Sequence, residues 1–215
     1  MKYPLSLDTW DQEEYKELNK VINKKKFSMG SRVKAFEKKF AKDQELRVVL
    51  DKSELHNLVL TYCRACDRRD YTLLRSLYHD DAIDDHGDMF CGSADDFVAW
   101  LPGVLGSFDA TVHSISNALF IVEGNKAEGE IYTQAYHRTP APDAQEIIIG
   151  GRYLDRYERR GGVWRFIHRS LACDWCDVRP VDMRVYEQFA AGAPRGRTDN
   201  TDPSYQLLML AGMKK

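Results

Sequence analysis

Apolar residues recur at helical spacing in five stretches of the first half of the chain. The predicted helices begin near Thr9, Ser31, Ser53, Tyr71 and Ser93. The third, over residues 53–68, carries its apolar side chains along one face, as expected for a helix packed on a core. The last is expected to stop at Pro102-Gly103, because a proline removes a helical hydrogen bond.

From residue 110 onward the pattern changes to strands. Strands are predicted over residues 110–117, 118–123, 126–138, 145–159 and 163–172. Residues 147–166 predict a hairpin that turns at Gly161-Gly162, with Ile147, Ile149, Tyr153 and Tyr157 on one face. Helices followed by antiparallel strands predict an α+β fold. We expect a curved antiparallel sheet that forms a cone, which the N-terminal helices close.

The hairpin also places charged residues among aromatic ones. Arg152, Asp155, His168 and Arg169 lie close to the predicted core positions. A cone has an interior, and ligand cavities combine apolar walls with a few polar groups. We therefore expect these charged side chains to point into a cavity.

Lysine usage divides the chain near residue 43. Ten of the fourteen lysines precede that residue, and beyond it sixteen arginines accompany the remaining four lysines. We expect residues 1–42 to be a helical extension and residues 43–180 to form the α+β domain. Residues 181–215 are expected to form a tail that acts as a lid or as a subunit contact.

Charge and cysteine content narrow the possible partners. The net charge of -2 gives no electrostatic reason to expect nucleic-acid or membrane binding. No apolar run reaches the roughly 18 residues of a membrane span, and no signal-peptide pattern opens the chain, so the cytoplasm is the expected location. Two CxxC pairs, Cys63/Cys66 and Cys173/Cys176, match zinc-ligand spacing. Because the first pair lies in a helical pattern, we expect buried thiols and no metal.

Asp67, His113 and His137 are the candidates for proton-transfer chemistry. Asp67 ends the helix that would close the cone, and both histidines lie on strands of the expected inner face. A carboxylate beside an imidazole fixes one tautomer and keeps a base near neutral pKa. Each residue alone is also typical of a helix end or a strand interior. The prediction therefore depends on their meeting in one cavity.

Residues 53–178 resemble the SnoaL-like branch of the nuclear-transport-factor-2-like superfamily, through "YCRACDRRDYTLLRSLYHDDA", "TVHSISN", "AYHR" and "IIIGGRYLDRYERRGGVWRF". Similarity to its dehydrochlorinase and scytalone dehydratase members implies that Asp67 and His113 abstract a proton. It also implies that Arg169 steadies the departing anion and that His137 assists. The two phenolic tyrosines of the scytalone dehydratases fall on Cys66 and His86 here, which puts acid catalysis by tyrosine in doubt.

Further residues are expected to bind the substrate. Tyr62 and Tyr153 have the required phase on a helix and a strand, Trp100 would supply an apolar wall, and Arg152 lies among the charged residues of the hairpin. His86 follows "IDD" at a strand end, where it contacts the substrate or caps a turn. Residues 1–42 resemble the N-terminus of the sugar aminotransferase family and its 3-dehydratase relatives. Since no PLP-binding domain or Schiff-base lysine follows, that second resemblance implies no activity.

These features predict a cofactor-independent lyase. The expected reaction is a dehydratase-type elimination, or a formaldehyde-releasing cleavage of an aromatic diol, on a hydroxylated aromatic or polycyclic small molecule. The alternatives are an isomerase or cyclase of the same fold, a non-catalytic binding module, and a dioxygenase small subunit. No metal or organic cofactor is expected, and relatives of this fold suggest a homo-oligomer, a trimer or a dimer.

Overall fold

The structure is a computed structural model, and it describes residues 11–23 and 31–208. It divides into two compact units, residues 1–49 and residues 50–215. In the first unit, helix α1 spans Gln12–Asn23. Asp11 Oδ1 accepts hydrogen bonds from the backbone N–H groups of Glu13 and Glu14 and so caps this helix. The expected cap at Thr9 lies outside the described residues.

Helix α2 spans Ser31–Asp67 without interruption. The sequence predicted two helices here, beginning near Ser31 and Ser53, so the separation between them is wrong. Residues 41–52 contain neither glycine nor proline, and charged and long apolar side chains propagate a helix readily. The predicted division of the chain at residue 42 remains a prediction.

The second unit contains two further helices against a six-stranded sheet. Helix α3 spans Tyr71–Ser76 and helix α4 spans Ala94–Leu105. The strands are β1 Tyr78–Asp85, β2 Cys91–Ser93, β3 Ala110–Glu123, β4 Lys126–Arg138, β5 Gln145–Arg160 and β6 Val163–Pro180. Two short helices follow, α5 Met183–Phe189 and α6 Ser204–Leu207.

The sheet has the order β2-β1-β6-β5-β4-β3. All neighbours are antiparallel except β1 and β6, which run parallel. The β5-β6 hairpin turns at Gly161 and Gly162, with φ of +59° and +84°, as a two-residue turn with two left-handed positions requires. The curved, open sheet with helices N-terminal to it confirms the predicted α+β class.

Two local expectations for the second unit are wrong. Pro102 lies inside α4, which continues to Leu105. Phe97, Leu101 and Leu105 are all buried, and the burial of this apolar face offsets the hydrogen bond that the proline removes. The two strands predicted between residues 110 and 123 are one strand, β3, whose pairing with β4 shifts register between Ile115 and Ala118.

The core lies between the last turns of α2, helix α4 and one face of the sheet. The ring of Tyr62 on α2 lies 5.8 Å from that of Tyr153 on β5 and 5.9 Å from that of Phe166 on β6. Asp51, also on α2, accepts hydrogen bonds from Arg159 and from the indole of Trp164. These contacts fix α2 across the β5-β6 hairpin, with Asp67 at its C-terminal end.

Among the described residues, no helix is both long and apolar enough to cross a membrane.

Candidate active site

A cavity of about 260 Å³ opens between the helices and the inner face of the sheet. Its walls come from α2, α4, the segment that follows β1, and strands β3 to β6. Most of its lining is apolar or aromatic, and Trp100, Leu105 and Phe108 form one side. The polar groups on its walls include two imidazoles, His113 and His137, and a third imidazole, His86.

Asp67 and His113 meet at this cavity. Asp67 Oδ1 lies 2.7 Å from His113 Nδ1, and Asp67 Oδ2 accepts the backbone N–H of His113 at 2.9 Å. The two side chains are 13% and 11% exposed. The carboxylate therefore holds both the ring and the backbone of β3, which fixes the imidazole with little freedom to rotate.

This geometry sets the tautomer of His113. An ionised carboxylate is only an acceptor, so Nδ1 carries the proton and Nε2 is left with a free lone pair. Asp67 reaches His113 because α2 ends at Asp67, in a turn that brings the carboxylate to the edge strand β3. The pair has the arrangement of a general base and its orienting group.

Arg69, in this turn, adopts a left-handed conformation with φ of +54°. Its guanidinium donates hydrogen bonds to the Cys66 carbonyl, the Thr111 hydroxyl and the Leu105 carbonyl. It thereby joins the end of α2 to β3 and to the end of α4. Sequence reasoning did not single out Arg69, although a left-handed non-glycine residue is uncommon and can mark a functional turn.

His137 lies beside His113 on the neighbouring strand. Thr111 is the Cα partner of His137 and His113 that of Ala135, so the two histidines are diagonal neighbours on one face. Their ring centroids are 5.6 Å apart and the rings are nearly perpendicular. Burial, reinforced by His113, lowers the pKa of His137 to about 4. His137 is therefore neutral at physiological pH and able to donate one hydrogen bond.

The predicted binding residues Tyr62, Tyr153, His86 and Trp100 all line the cavity. Burial raises the pKa of Tyr62 and of Tyr153, so both phenols keep their protons. The His86 ring lies 6.5 Å from that of Trp100. Burial lowers the pKa of His86 to about 4, which leaves it neutral as well.

Arg169 does not line the cavity, contrary to its predicted place beside a departing anion. It is fully buried, and its Nε and Nη2 donate to the two carboxylate oxygens of Asp155 at 2.8 and 2.7 Å. Its guanidinium lies 3.9 Å from the Tyr62 ring and 4.0 Å from the Tyr153 ring. Burial alone would lower the pKa of Arg169, but Asp155 raises it well above its usual value.

The register of the hairpin explains this placement. Asp155 and Arg169 are Cα partners on β5 and β6, so both side chains project from the same face of the sheet. Both side chains are closed to water, so a charge on either one destabilises the fold unless its oppositely charged partner is present. Two of the four charged residues expected in the cavity therefore neutralise each other behind the tyrosines.

Arg152 also lies outside the cavity, and its predicted role in substrate binding does not fit this position. It pairs with Asp174 and Glu130 in a largely solvent-accessible cluster. Even-numbered residues of β5 such as Leu154 project from the outer face, because side chains alternate along a strand. His168 lies on that outer face too, in a separate surface depression.

The cysteines do not form a cluster. Cys63 and Cys66 are buried in α2, whereas Cys91, Cys173 and Cys176 are exposed, and all five are free thiols. Burial raises the pKa of the Cys63 thiol to about 12. Within the described residues, no group of three or more potential metal ligands was found.

The curved, open sheet with helices N-terminal to it is the architecture of a cone-shaped α+β domain. A family profile described as a SnoaL-like domain matches residues 47–170. The chain belongs to the SnoaL-like domain family.

Particular relatives differ in how much they share with the chain. An uncharacterised protein of Mycobacterium tuberculosis is 27% identical over 124 residues, which cover 56% of this chain and 84% of that protein. Among solved structures, hexachlorocyclohexane dehydrochlorinase of Novosphingobium barchaimii superposes with a TM-score of 0.55 at 20% identity, over 64% of this chain and 94% of the other. A proposed scytalone dehydratase of Novosphingobium aromaticivorans gives 0.55 at 22%, over 62% and 91%.

A further match is short. The GDP-4-keto-6-deoxy-D-mannose 3-dehydratase of Escherichia coli O55:H7 is 48% identical over 42 residues, which cover 20% of this chain. The match spans only 11% of the length of that enzyme. It hints at the sugar-enzyme resemblance expected from the sequence and carries no conclusion about activity.

Proposed function

We propose that this protein is a cofactor-independent lyase that removes a proton from carbon with His113. The substrate class is a hydroxylated aromatic or polycyclic small molecule, and the reaction is an elimination. The observation that supports the proposal most strongly is the 2.7 Å contact between Asp67 and His113 at the wall of an apolar cavity. A base placed in this way contributes roughly 10²- to 10⁴-fold to a rate.

The proposed chemistry follows from the protonation states. His113 Nε2 accepts a proton from a carbon next to a carbonyl or an arene, and Asp67 stabilises the resulting imidazolium. Neutral His137 donates a hydrogen bond to the oxygen on which negative charge develops. A donor aimed at such an oxygen in a water-poor site stabilises the transition state by about 3 kcal/mol.

Arg169 takes a different role from the one expected. Since its guanidinium lies behind Tyr62 and Tyr153, it positions these two rings and does not touch the substrate. The two phenols keep their protons and present apolar faces to the cavity, together with Trp100. Such walls favour an aromatic or polycyclic substrate over a small charged one.

Two of the structural neighbours carry names that describe eliminations, a dehydrochlorinase and a proposed dehydratase. Their identities to this chain are low, so they support the fold directly and the reaction class only by analogy. Loss of formaldehyde from an aromatic diol is a variant in which the base takes a hydroxyl proton. An isomerase is the second candidate, because His113 and His137 lie close enough to move a proton between two carbons of one substrate.

Product masses test the proposal. The purified protein is incubated with a panel of hydroxylated aromatic, steroid and polyketide compounds, and each product is compared with its substrate. An elimination appears as the loss of one water, a carbon–carbon cleavage as the loss of formaldehyde, and an isomerisation as an unchanged mass with a new retention time.

The matched variants are His113→Ala, in the cavity, and His168→Ala, on the outer face. The proposal requires turnover to be lost in the first variant and retained in the second, with both variants folded. Full activity of the His113→Ala variant would show that the assigned base is wrong.

The proposal extends to the oligomeric state and to the C-terminal residues. We propose a homo-oligomer, a trimer or a dimer, and light scattering of the purified chain distinguishes these from a monomer. Residues 181–215 are proposed as its lid or subunit contact. Loss of the oligomer on truncation after residue 180, with the α+β domain still folded, would support that role.

A further inference from the structure

A second carboxyl and imidazole meet at the same cavity, on the side formed by β1. Asp84 is fully buried near the end of β1, and His86 follows that strand and lines the cavity. His86 Nε2 lies 3.3 Å from Asp84 Oδ1, although the two atoms are not aligned as a hydrogen bond. In the sheet, β1 and β3 are separated by three strands, so His86 and His113 face the cavity from different walls.

Three buried polar atoms in this region have no hydrogen-bond partner among the described residues. They are Asp84 Oδ1, His86 Nε2 and Arg169 Nη1. Buried polar groups are nearly always paired, and exceptions often mark a functional site. Asp84 and Arg169 are Cα partners on the parallel strands β1 and β6, so these orphan atoms lie in one neighbourhood.

Arg169 has an aspartate on each side but pairs with only one of them. Its two hydrogen bonds go to Asp155 on β5, whereas Asp84 on β1 accepts a 2.6 Å hydrogen bond from the Tyr78 hydroxyl. The pKa of Asp84 is raised to about 7, mainly by burial. The groups that face Asp84 and act on this pKa are Tyr78 and Asp85 on its own strand, Arg169 on β6 and Asp155 on β5.

We propose that Asp84 and His86 form a proton-donating pair that protonates the oxygen leaving the substrate. This inference rests on the elimination proposed above and adds its acid. Neutral His86 donates its Nδ1 proton to the leaving oxygen, and its Nε2 takes the proton of Asp84 Oδ1. The imidazole thus ends neutral, and Asp84 ends as a carboxylate.

The step balances in atoms and electrons. The electron pair of the broken C–H bond forms the new carbon–carbon double bond, and the pair of the broken C–O bond leaves with the oxygen as water. His113 holds the abstracted proton and then releases it to solvent. Before the next turnover His86 Nδ1 takes a proton from solvent, and Nε2 returns its proton to Asp84. The Asp84 carboxylate formed in the step lies on the strand next to that of Arg169, whose positive charge favours the ionised form of Asp84.

The proposal explains why Arg169, the charged neighbour of Asp84, makes its hydrogen bonds to Asp155 and not to Asp84. A carboxyl that already paired with Arg169 would lose its proton far below neutral pH and would have none to give. Because Asp155 takes both hydrogen bonds of Arg169, the pKa of Asp84 stays near 7 and a large share of Asp84 holds a proton at neutral pH. After the transfer, the Arg169 charge favours the carboxylate that Asp84 has become.

The first test needs no substrate. Protein labelled with ¹³C at the aspartate carboxyls is titrated by NMR from pH 5 to pH 9, in the native form and as Asp84→Asn. One carboxyl is expected to titrate near pH 7 and to be missing from the variant. The control variant, Asp174→Asn on the outer face, keeps that signal. If no carboxyl that depends on Asp84 titrates between pH 6 and pH 8, the proposal is overturned.

The second test separates acid from base. β-Hydroxybenzylacetone and β-chlorobenzylacetone both eliminate to benzylideneacetone, which is followed by its ultraviolet absorption, but only hydroxide needs a proton in order to leave. Asp84→Asn is expected to slow the hydroxy compound by about 10²-fold or more and to change the chloro compound little. His86→Asn, which alters the cavity wall, is expected to slow the hydroxy compound much more than the chloro compound. His86→Asn retains an N–H donor near the position of Nδ1 but cannot relay a proton.

The rates of the variants on the two compounds distinguish the proposed base from the proposed acid. His113→Ala is expected to slow both compounds. If that variant has no effect, His113 is not the base. The proposal for Asp84 is then tested separately by the titration of its carboxyl. Equal slowing of both compounds in Asp84→Asn would give Asp84 a structural role only and would overturn the proposed acid. His168→Asn, which changes an imidazole on the outer face, is expected to change neither rate.

Discussion

Replacing Asp67 by asparagine is the most informative single change at the proposed base. The side chain keeps its shape, and its amide oxygen can still accept the His113 backbone N–H that now bonds to Oδ2 at 2.9 Å. The NH₂ group must then face Nδ1, which lies 2.7 Å from Oδ1. Two N–H donors cannot face each other, so the ring shifts its proton to Nε2 and loses its lone pair toward the cavity.

The size of the effect follows from this wrong tautomer. The corresponding aspartate-to-asparagine change in a serine-protease triad leaves the geometry intact and lowers kcat about 10⁴-fold, which equals about 5 kcal/mol of transition-state stabilisation. We expect a loss of this order in kcat with a small change in KM. The free energy of unfolding should change by only about 1 kcal/mol, because the backbone hydrogen bond remains.

The assay combines kinetics with nitrogen NMR. Turnover of a substrate found in the panel is measured for the native protein, Asp67→Asn and the control Asp70→Asn, which alters the cap of α3 near the cavity but not in it. The ¹⁵N spectrum should show the His113 proton on Nδ1 in the native protein and on Nε2 in Asp67→Asn. Turnover within tenfold of native, or an unchanged tautomer, would refute the reasoning.

Three further outcomes follow from the buried groups and the chain organisation. Asp155→Asn should lower the free energy of unfolding by about 3–5 kcal/mol in urea, because Arg169 is left as an uncompensated buried charge; Asp174→Asn, at an exposed pair, should have little effect. The pKa of Asp84 is raised from 3.8 to about 7, so Asp84 keeps its proton to a higher pH in the folded protein than in the unfolded chain. Stability relative to Asp84→Asn should therefore fall as pH rises from about 4 to about 7, by up to about 4 kcal/mol, and a level difference would contradict the assignment. Removal of residues 1–42 should leave the thermal unfolding of the remainder cooperative by circular dichroism, and its collapse would refute a separable extension.

Much of the fold could be predicted because it depends on local patterns. The alternation of Ile147, Ile149, Tyr153 and Tyr157 correctly indicated which face of β5 is turned to the helices. The hairpin turn followed from two adjacent glycines. The end of α2 at Asp67 was also visible, and with the resemblance to the SnoaL-like family it was enough to bring Asp67 and His113 together as candidates.

The errors arose where tertiary context decides. Arg152 was assigned to the cavity because of its charge, although its even position on β5 places it on the outer face with Leu154. The pairing of Asp155 with Arg169 depends on the register between β5 and β6, which the sequence does not show. Asp84 was not singled out, since its importance comes from complete burial beside His86 in the folded sheet.

Chemical rescue tests the central claim most directly, because it replaces the proposed base by the same group supplied from solution. Turnover of a substrate from the panel is measured for the His113→Ala variant with and without added imidazole. The account predicts a rate lowered about 10²- to 10⁴-fold that rises in proportion to the concentration of neutral imidazole. A variant that turns over as fast as the native protein without imidazole would contradict it.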